Sequence, residues 1–123
     1  MPQKVMIVDD EPAIVRLIAS RLRGDGHVIQ EASGGREALA KVEADPPDLV
    51  VLDLSMPDLD GWHVAHTLKS DARYQRIPIL VLSALVEDDG PGHPPEEAEY
   101  LMGKPFQLEE LSRTVGELLR REH

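Results

Sequence analysis

The sequence predicts a doubly wound α/β domain, a five-stranded parallel sheet with helices on both faces. Three observations carry the prediction. Short apolar runs alternate with helical spacing patterns along the chain, the rhythm of repeated β-α units. Two of those runs, Leu49-Val50-Val51-Leu52 and Pro78-Ile79-Leu80-Val81-Leu82, are apolar throughout, as strands covered on both faces must be. The 123 residues suffice for one core and leave no linker long enough to join two, so 1–123 is read as a single domain.

Each element has its own signal. Lys4-Val5-Met6-Ile7-Val8 reads as the first strand and ends at Asp9-Asp10. Ala13, Ile14, Leu17, Ile18 and Leu22 then recur at helical spacing, with Pro12 in the first turn and Gly24 and Gly26 at the end. Val28-Ile29-Gln30-Glu31-Ala32 is a second strand nearer an edge, and Gly34-Gly35 turns into a helix carrying Ala38, Leu39 and Val42 that stops before Pro46-Pro47. The Leu49 run ends at Asp53, and a loop over 54–60 leads into a helix from Gly61 with Val64, Ala65 and Leu68 on one face. The Pro78 run ends at Ser83. Leu101-Met102 is a brief fifth strand before Gly103-Lys104-Pro105, and the last helix buries Leu108, Leu111, Val115, Leu118 and Leu119.

Residues 86–99 break the rhythm. They contain Pro91, Pro94, Pro95, Gly90 and Gly92 with six acids and no base. Each interior proline costs a helix ~3 kcal/mol, so the helix expected between strands four and five is lost or shortened. Pro95 could at most start a turn of helix through 95–100. The acidic stretch reads as a solvated loop rather than a cation site.

Composition excludes several functions. The absence of cysteine removes disulfide scaffolds, thiolate metal sites and cysteine nucleophiles. No apolar run approaches the roughly 20 residues of a membrane span, and the first residues, with no basic stretch before an apolar one, are not expected to act as a signal peptide. Thirteen basic against twenty-three acidic residues give a net charge of −10, which disfavours direct binding to nucleic acid or anionic lipid. The reading is a cytoplasmic domain whose partners are a divalent cation and other proteins.

In doubly wound sheets, ligands bind beyond the carboxyl ends of the strands. There the sequence places Asp9, Asp10, Asp53, Ser83 and Lys104. Clustered carboxylates repel one another unless a cation holds them, and hard oxygen ligands suit Mg²⁺. A lysine and a hydroxyl beside them are groups that cradle phosphoryl oxygens. Asp9-Asp10 alone would read as a solvated capping pair, and Ser83 alone as a turn residue. The five together point to phosphoryl chemistry.

Val8-Asp9-Asp10-Glu11, Val51-Leu52-Asp53-Leu54-Ser55-Met56-Pro57, Asp60-Gly61, Val81-Leu82-Ser83-Ala84 and Lys104-Pro105-Phe106 resemble the receiver domain of two-component response regulators over nearly the whole chain. The resemblance implies a flavodoxin-like sheet in the order 2-1-3-4-5. It implies that Asp53 accepts a phosphoryl group from a histidine kinase or a histidine phosphotransfer protein. By position, Asp10, Asp53 and the backbone carbonyl of Ser55 would ligate Mg²⁺, and Asp9 would hold a metal-bound water. Ser83, Lys104 and the backbone amides of Leu54 and Ala84 would bind the phosphoryl group, with the Lys104-Pro105 peptide cis. Output would pass to an unidentified downstream protein or a fused effector, and the domain would be a switch rather than a dedicated enzyme.

The pattern also departs from the family. Such domains carry Tyr or Phe three residues before the motif lysine, where it couples to the strand-four hydroxyl. Here Leu101 holds that place and Tyr100 precedes it, so only a bulge would bring Tyr100 into register. Two other functions compete with the phosphorylation switch. A haloacid-dehalogenase-like phosphatase needs a second aspartate two residues after the nucleophile, where Ser55 stands. A receiver-like interaction module working without phosphorylation would need no intact acceptor site. His63 and His66 share one side of a helix but read as exposed or partner-facing, and Trp62 reads as packing.

Overall fold

The computed structural model describes residues 2–54, 56, 59–83 and 98–121. The expectation of a lost or shortened helix between strands four and five falls on 84–97, outside the described residues, as do Ser55 and Ala84. The elements run β1 (Lys4–Val8), α1 (Pro12–Gly24), β2 (Val28–Ala32), α2 (Gly35–Ala44), β3 (Leu49–Asp53), α3 (Gly61–Lys69), β4 (Ile79–Ser83), β5 (Tyr100–Gly103) and α4 (Leu108–Arg121). All five strands are parallel in the order β2-β1-β3-β4-β5.

Alternation along the central strands explains their unbroken apolar runs. Val5, Ile7, Leu49, Val51, Leu80 and Leu82 face a cluster built with α1 and α4, while Met6, Val8, Val50, Leu52, Ile79 and Val81 face one built with α2 and α3. Trp62 packs, half-buried, against the second cluster. Leu111, Val115, Leu118 and Leu119 fill the first, as their spacing predicts. The buried stripe of α1 differs from the expected one: Val15, Ile18, Ala19 and Leu22 face the sheet, while Ala13 and Leu17 face outward. Every apolar residue on one side of a helix satisfies a spacing rule, but only those a sheet covers are buried.

Tyr100 opens β5, so no helical turn reaches it. The β4–β5 register runs Leu80↔Tyr100, Val81↔Leu101, Leu82↔Met102, Ser83↔Gly103 without a bulge. Tyr100 therefore stands on the Met102 side of the sheet. Leu101, 45% exposed, holds the position three residues before the lysine.

One ion pair fixes the amino-terminal edge of β4 and β5. Lys69 Nζ donates to the Ile77 carbonyl at 2.8 Å, to the Gln75 carbonyl at 3.1 Å and to Glu99 Oε2 at 2.7 Å. Glu99 Oε1 accepts the Ile79 N–H at 2.8 Å, standing in for a ladder partner at the strand's start. Replacing Lys69 by Met would leave Glu99 Oε2 and two carbonyls without this donor. We expect a loss of about 2 kcal/mol, read as a lower urea midpoint at unchanged slope.

Candidate functional site

Parallel register brings the carboxyl ends of four strands to one level. Val8 pairs with Leu52, Asp53 with Leu82 and Ser83 with Gly103, so the next residue along each chain falls at the same rim. Asp9 extends the ladder, its N–H donating to the Ala32 carbonyl at 3.1 Å, and the Lys104 N–H donates to the Ser83 carbonyl at 2.8 Å. The Lys104-Pro105 peptide is cis.

Asp9, Asp10 and Asp53 each offer a carboxylate oxygen within 4.8 Å of the others. Asp9 is 1% exposed and Asp53 3%, whereas Asp10 faces solvent. Two buried carboxylates this close demand a cation. Lys104 supplies one, its Nζ lying 3.2 Å from Asp9 Oδ2 and 3.3 Å from Asp53 Oδ1. A third carboxylate reaches the same ammonium, Glu11 Oε1 at 3.7 Å. Burial opposes charge on Lys104, but the Asp53 and Asp9 carboxylates outweigh it and hold its pKa above the ordinary 10.5.

The acidic cluster fits Mg²⁺ by its donors: hard carboxylate oxygens converging from two strand ends, with negative charge left over after Lys104 is paired. Beside Asp9 and Asp10 a cleft of about 280 Å³ opens between the heads of α1 and α2, with Arg16, Glu37 and Lys41 on its rim. The Ser33 backbone N–H, with Lys41 and the Ser33 hydroxyl, pulls the Glu37 carboxyl down to about 2, so this rim stays charged.

Behind Asp53 the chain is held by a glycine. Gly61 donates its N–H to the Leu54 carbonyl at 3.0 Å. A Cβ on Gly61 would lie 2.6 Å from the Asp53 carbonyl oxygen and 2.8 Å from Leu54 Cα. Asp60 caps the same helix, its Oδ1 accepting the His63 N–H at 2.9 Å. The head of α3 is thereby pressed against the end of β3, which fixes where Asp53 points.

The structure brings Asp9, Asp10, Asp53 and Lys104 together, with buried Ser83 at the end of the adjacent strand. The Leu54 amide, expected to face a phosphoryl oxygen, donates to the Leu82 carbonyl at 3.2 Å. The β3–β4 ladder continues one residue past the strand and claims that donor. The Ser55 carbonyl and the Ala84 amide, expected at the metal and the phosphoryl group, lie outside the described residues. His63 and His66 are exposed on α3, and among the described residues neither joins a metal-ligating cluster. Sequence reasoning overlooked the Glu11 contact with Lys104, although Glu11 directly follows the aspartate pair, and it had no signal for how closely Gly61 approaches Asp53.

The sequence profile of the response regulator receiver domain matches residues 5–116. The chain belongs to the response regulator receiver family. This receiver domain is 41% identical over 123 residues to the response regulator MprA of Mycolicibacterium vanbaalenii, covering 98% of this chain and 52% of that protein. It is 40% identical over 124 residues to the alkaline phosphatase synthesis transcriptional regulatory protein PhoP of Bacillus subtilis, covering 98% and 50%. The chain thus spans about half the length of these curated relatives. The crystal structure of the response regulator TrrA from Thermotoga maritima, in complex with Mg²⁺ and BeF, superposes with a TM-score of 0.83 at 31% identity, covering 94% of this chain and 98% of that one. No helix among the described residues of the receiver domain is long and apolar enough to cross a membrane.

Proposed function

We propose that this receiver domain is a phosphorylation-dependent switch that takes a phosphoryl group on Asp53 from the phosphohistidine of a sensor kinase or a phosphotransfer protein. One observation carries the reading: a nearly wholly buried aspartate is held 3.3 Å from a lysine ammonium inside a cluster of three carboxylates. An Asp53 carboxylate oxygen attacks phosphorus and forms the acyl phosphate. The phosphorus–nitrogen bond breaks, and its electron pair returns to the imidazole. Lys104 is placed to neutralise charge on the transferred group, and Ser83 to donate its hydroxyl. A magnesium ion held by Asp10 and Asp53, with Asp9 reaching it through water, would supply further charge neutralisation.

Output then passes by protein–protein contact to a downstream protein or a fused effector, and the reading places the domain in the cytoplasm. The domain acts as a switch rather than a turnover enzyme, because the residue two beyond Asp53 is Ser55 and not the second aspartate of the phosphatase pattern. Intact mass after incubation with Mg²⁺ and acetyl phosphate tests the reading. One added phosphoryl group is expected, absent from Asp53→Asn and after chelation of the metal. No adduct on a protein that binds Mg²⁺ would overturn it in favour of an interaction module that works unmodified.

A further inference from the structure

Glu11 has no part in the chemistry above, yet it reaches the site. It is the N-cap residue of α1, where a side chain ordinarily accepts a helix N–H, but its side chain makes no capping hydrogen bond. Its backbone N–H instead donates to Asp9 Oδ1 at 3.0 Å, which pins the residue over the buried pair. Its carboxylate, 63% exposed, stands 3.7 Å from Lys104 Nζ. That ammonium already lies between Asp9 and Asp53 and is itself only 17% exposed, so Glu11 lies on its solvent side.

We propose that Glu11 is an electrostatic gate at the mouth of the phosphoacceptor site, setting donor specificity by disfavouring small dianionic phosphodonors. The proposal rests on the phosphoacceptor reading. Four carboxylates share this rim with one ammonium. With a divalent ion bound the local balance is minus one, and removing the Glu11 charge brings it to zero. A free dianion approaching Asp53 meets that residual charge with nothing to offset it. A phosphohistidine on a protein surface brings contact energy of its own. The gate therefore favours protein donors over free anions of the same reactivity.

Two donors separate this role from simple packing. In acetyl phosphate, a dianion near neutral pH, the phosphorus–oxygen bond breaks and its electron pair leaves with acetate. In phosphoramidate, a zwitterion of net charge minus one, the phosphorus–nitrogen bond breaks and ammonia leaves. At low ionic strength and saturating Mg²⁺, Glu11→Gln is expected to speed phosphorylation by acetyl phosphate about fivefold and by phosphoramidate about twofold, because the effect scales with donor charge. Both gains should shrink to within about 1.5-fold in 0.5 M KCl, where the screening length falls to a few ångströms. Mg²⁺ affinity by calorimetry should change by less than about threefold, since Glu11 is not one of the clustered ligands. Equal acceleration with both donors, no acceleration, or acceleration that survives high salt would each overturn the gate. Failure of the wild-type protein to take up phosphoryl from either donor would overturn the underlying reading instead.

Discussion

Lys104→Ala is expected to bind Mg²⁺ about tenfold more tightly while accepting phosphoryl groups about 100-fold or more slowly. The two effects have opposite signs because the ammonium has two roles. Before transfer it lies 3.2 Å and 3.3 Å from carboxylates of the acidic cluster, and so competes with any metal for them. During transfer it neutralises charge on the phosphoryl oxygens. Calorimetry reads the first effect and intact mass the second. If both activities fell together the site would have collapsed, and the competition argument would fail.

The same substitution tests stability. Without the lysine, Asp9 and Asp53 are buried like charges, and metal-free Lys104→Ala should lose about 3 kcal/mol. Mg²⁺ should restore much of that through binding to the folded state alone. The pH dependence follows from the raised pKa of Lys104. A cation whose pKa is higher in the folded state contributes stability fully present below its unfolded value. For lysine that is ~10.4, and the contribution is lost as pH rises through the folded value. Wild-type protein should therefore lose an increment of stability above about pH 10 that Lys104→Ala does not lose.

Gly61→Ala should be nearly as damaging without touching a charge. The new methyl would sit 2.6 Å from the Asp53 carbonyl oxygen and 2.8 Å from Leu54 Cα. Both are backbone atoms at the end of a central strand and cannot swing aside, so α3 or β3 must move. We expect a loss of about 3 kcal/mol in urea unfolding, at the upper end for overpacking. A displacement approaching 1 Å at Asp53 would slow phosphoryl transfer by about 100-fold. Gly24→Ala is the control, because a Cβ there meets nothing within 4 Å and a helix gains from alanine. Were Gly61→Ala as stable and as reactive as wild type, the close approach of α3 to β3 would not be what aims Asp53.

The sheet, the helices around it and the residues at its rim are legible in the chain's apolar pattern alone. Apolar runs without interruption, such as Leu49-Val50-Val51-Leu52, admit only a doubly covered strand, and the chemistry-bearing residues are those that end these runs. Packing between elements sets what local pattern cannot encode. Which side of α1 is buried depends on what packs there, so Val15 and Ala19 rather than Leu17 face the sheet. Whether the Leu54 amide is available depends on a ladder bond to a residue 28 positions away, Leu82. The unbroken β4–β5 register leaves Tyr100 on the opposite face from Leu101. Glu11 gains its role only because residues 93 positions apart fold to within 3.7 Å. Periodicity reports which residues one element offers to a neighbour, whereas distances between elements belong to the packed chain.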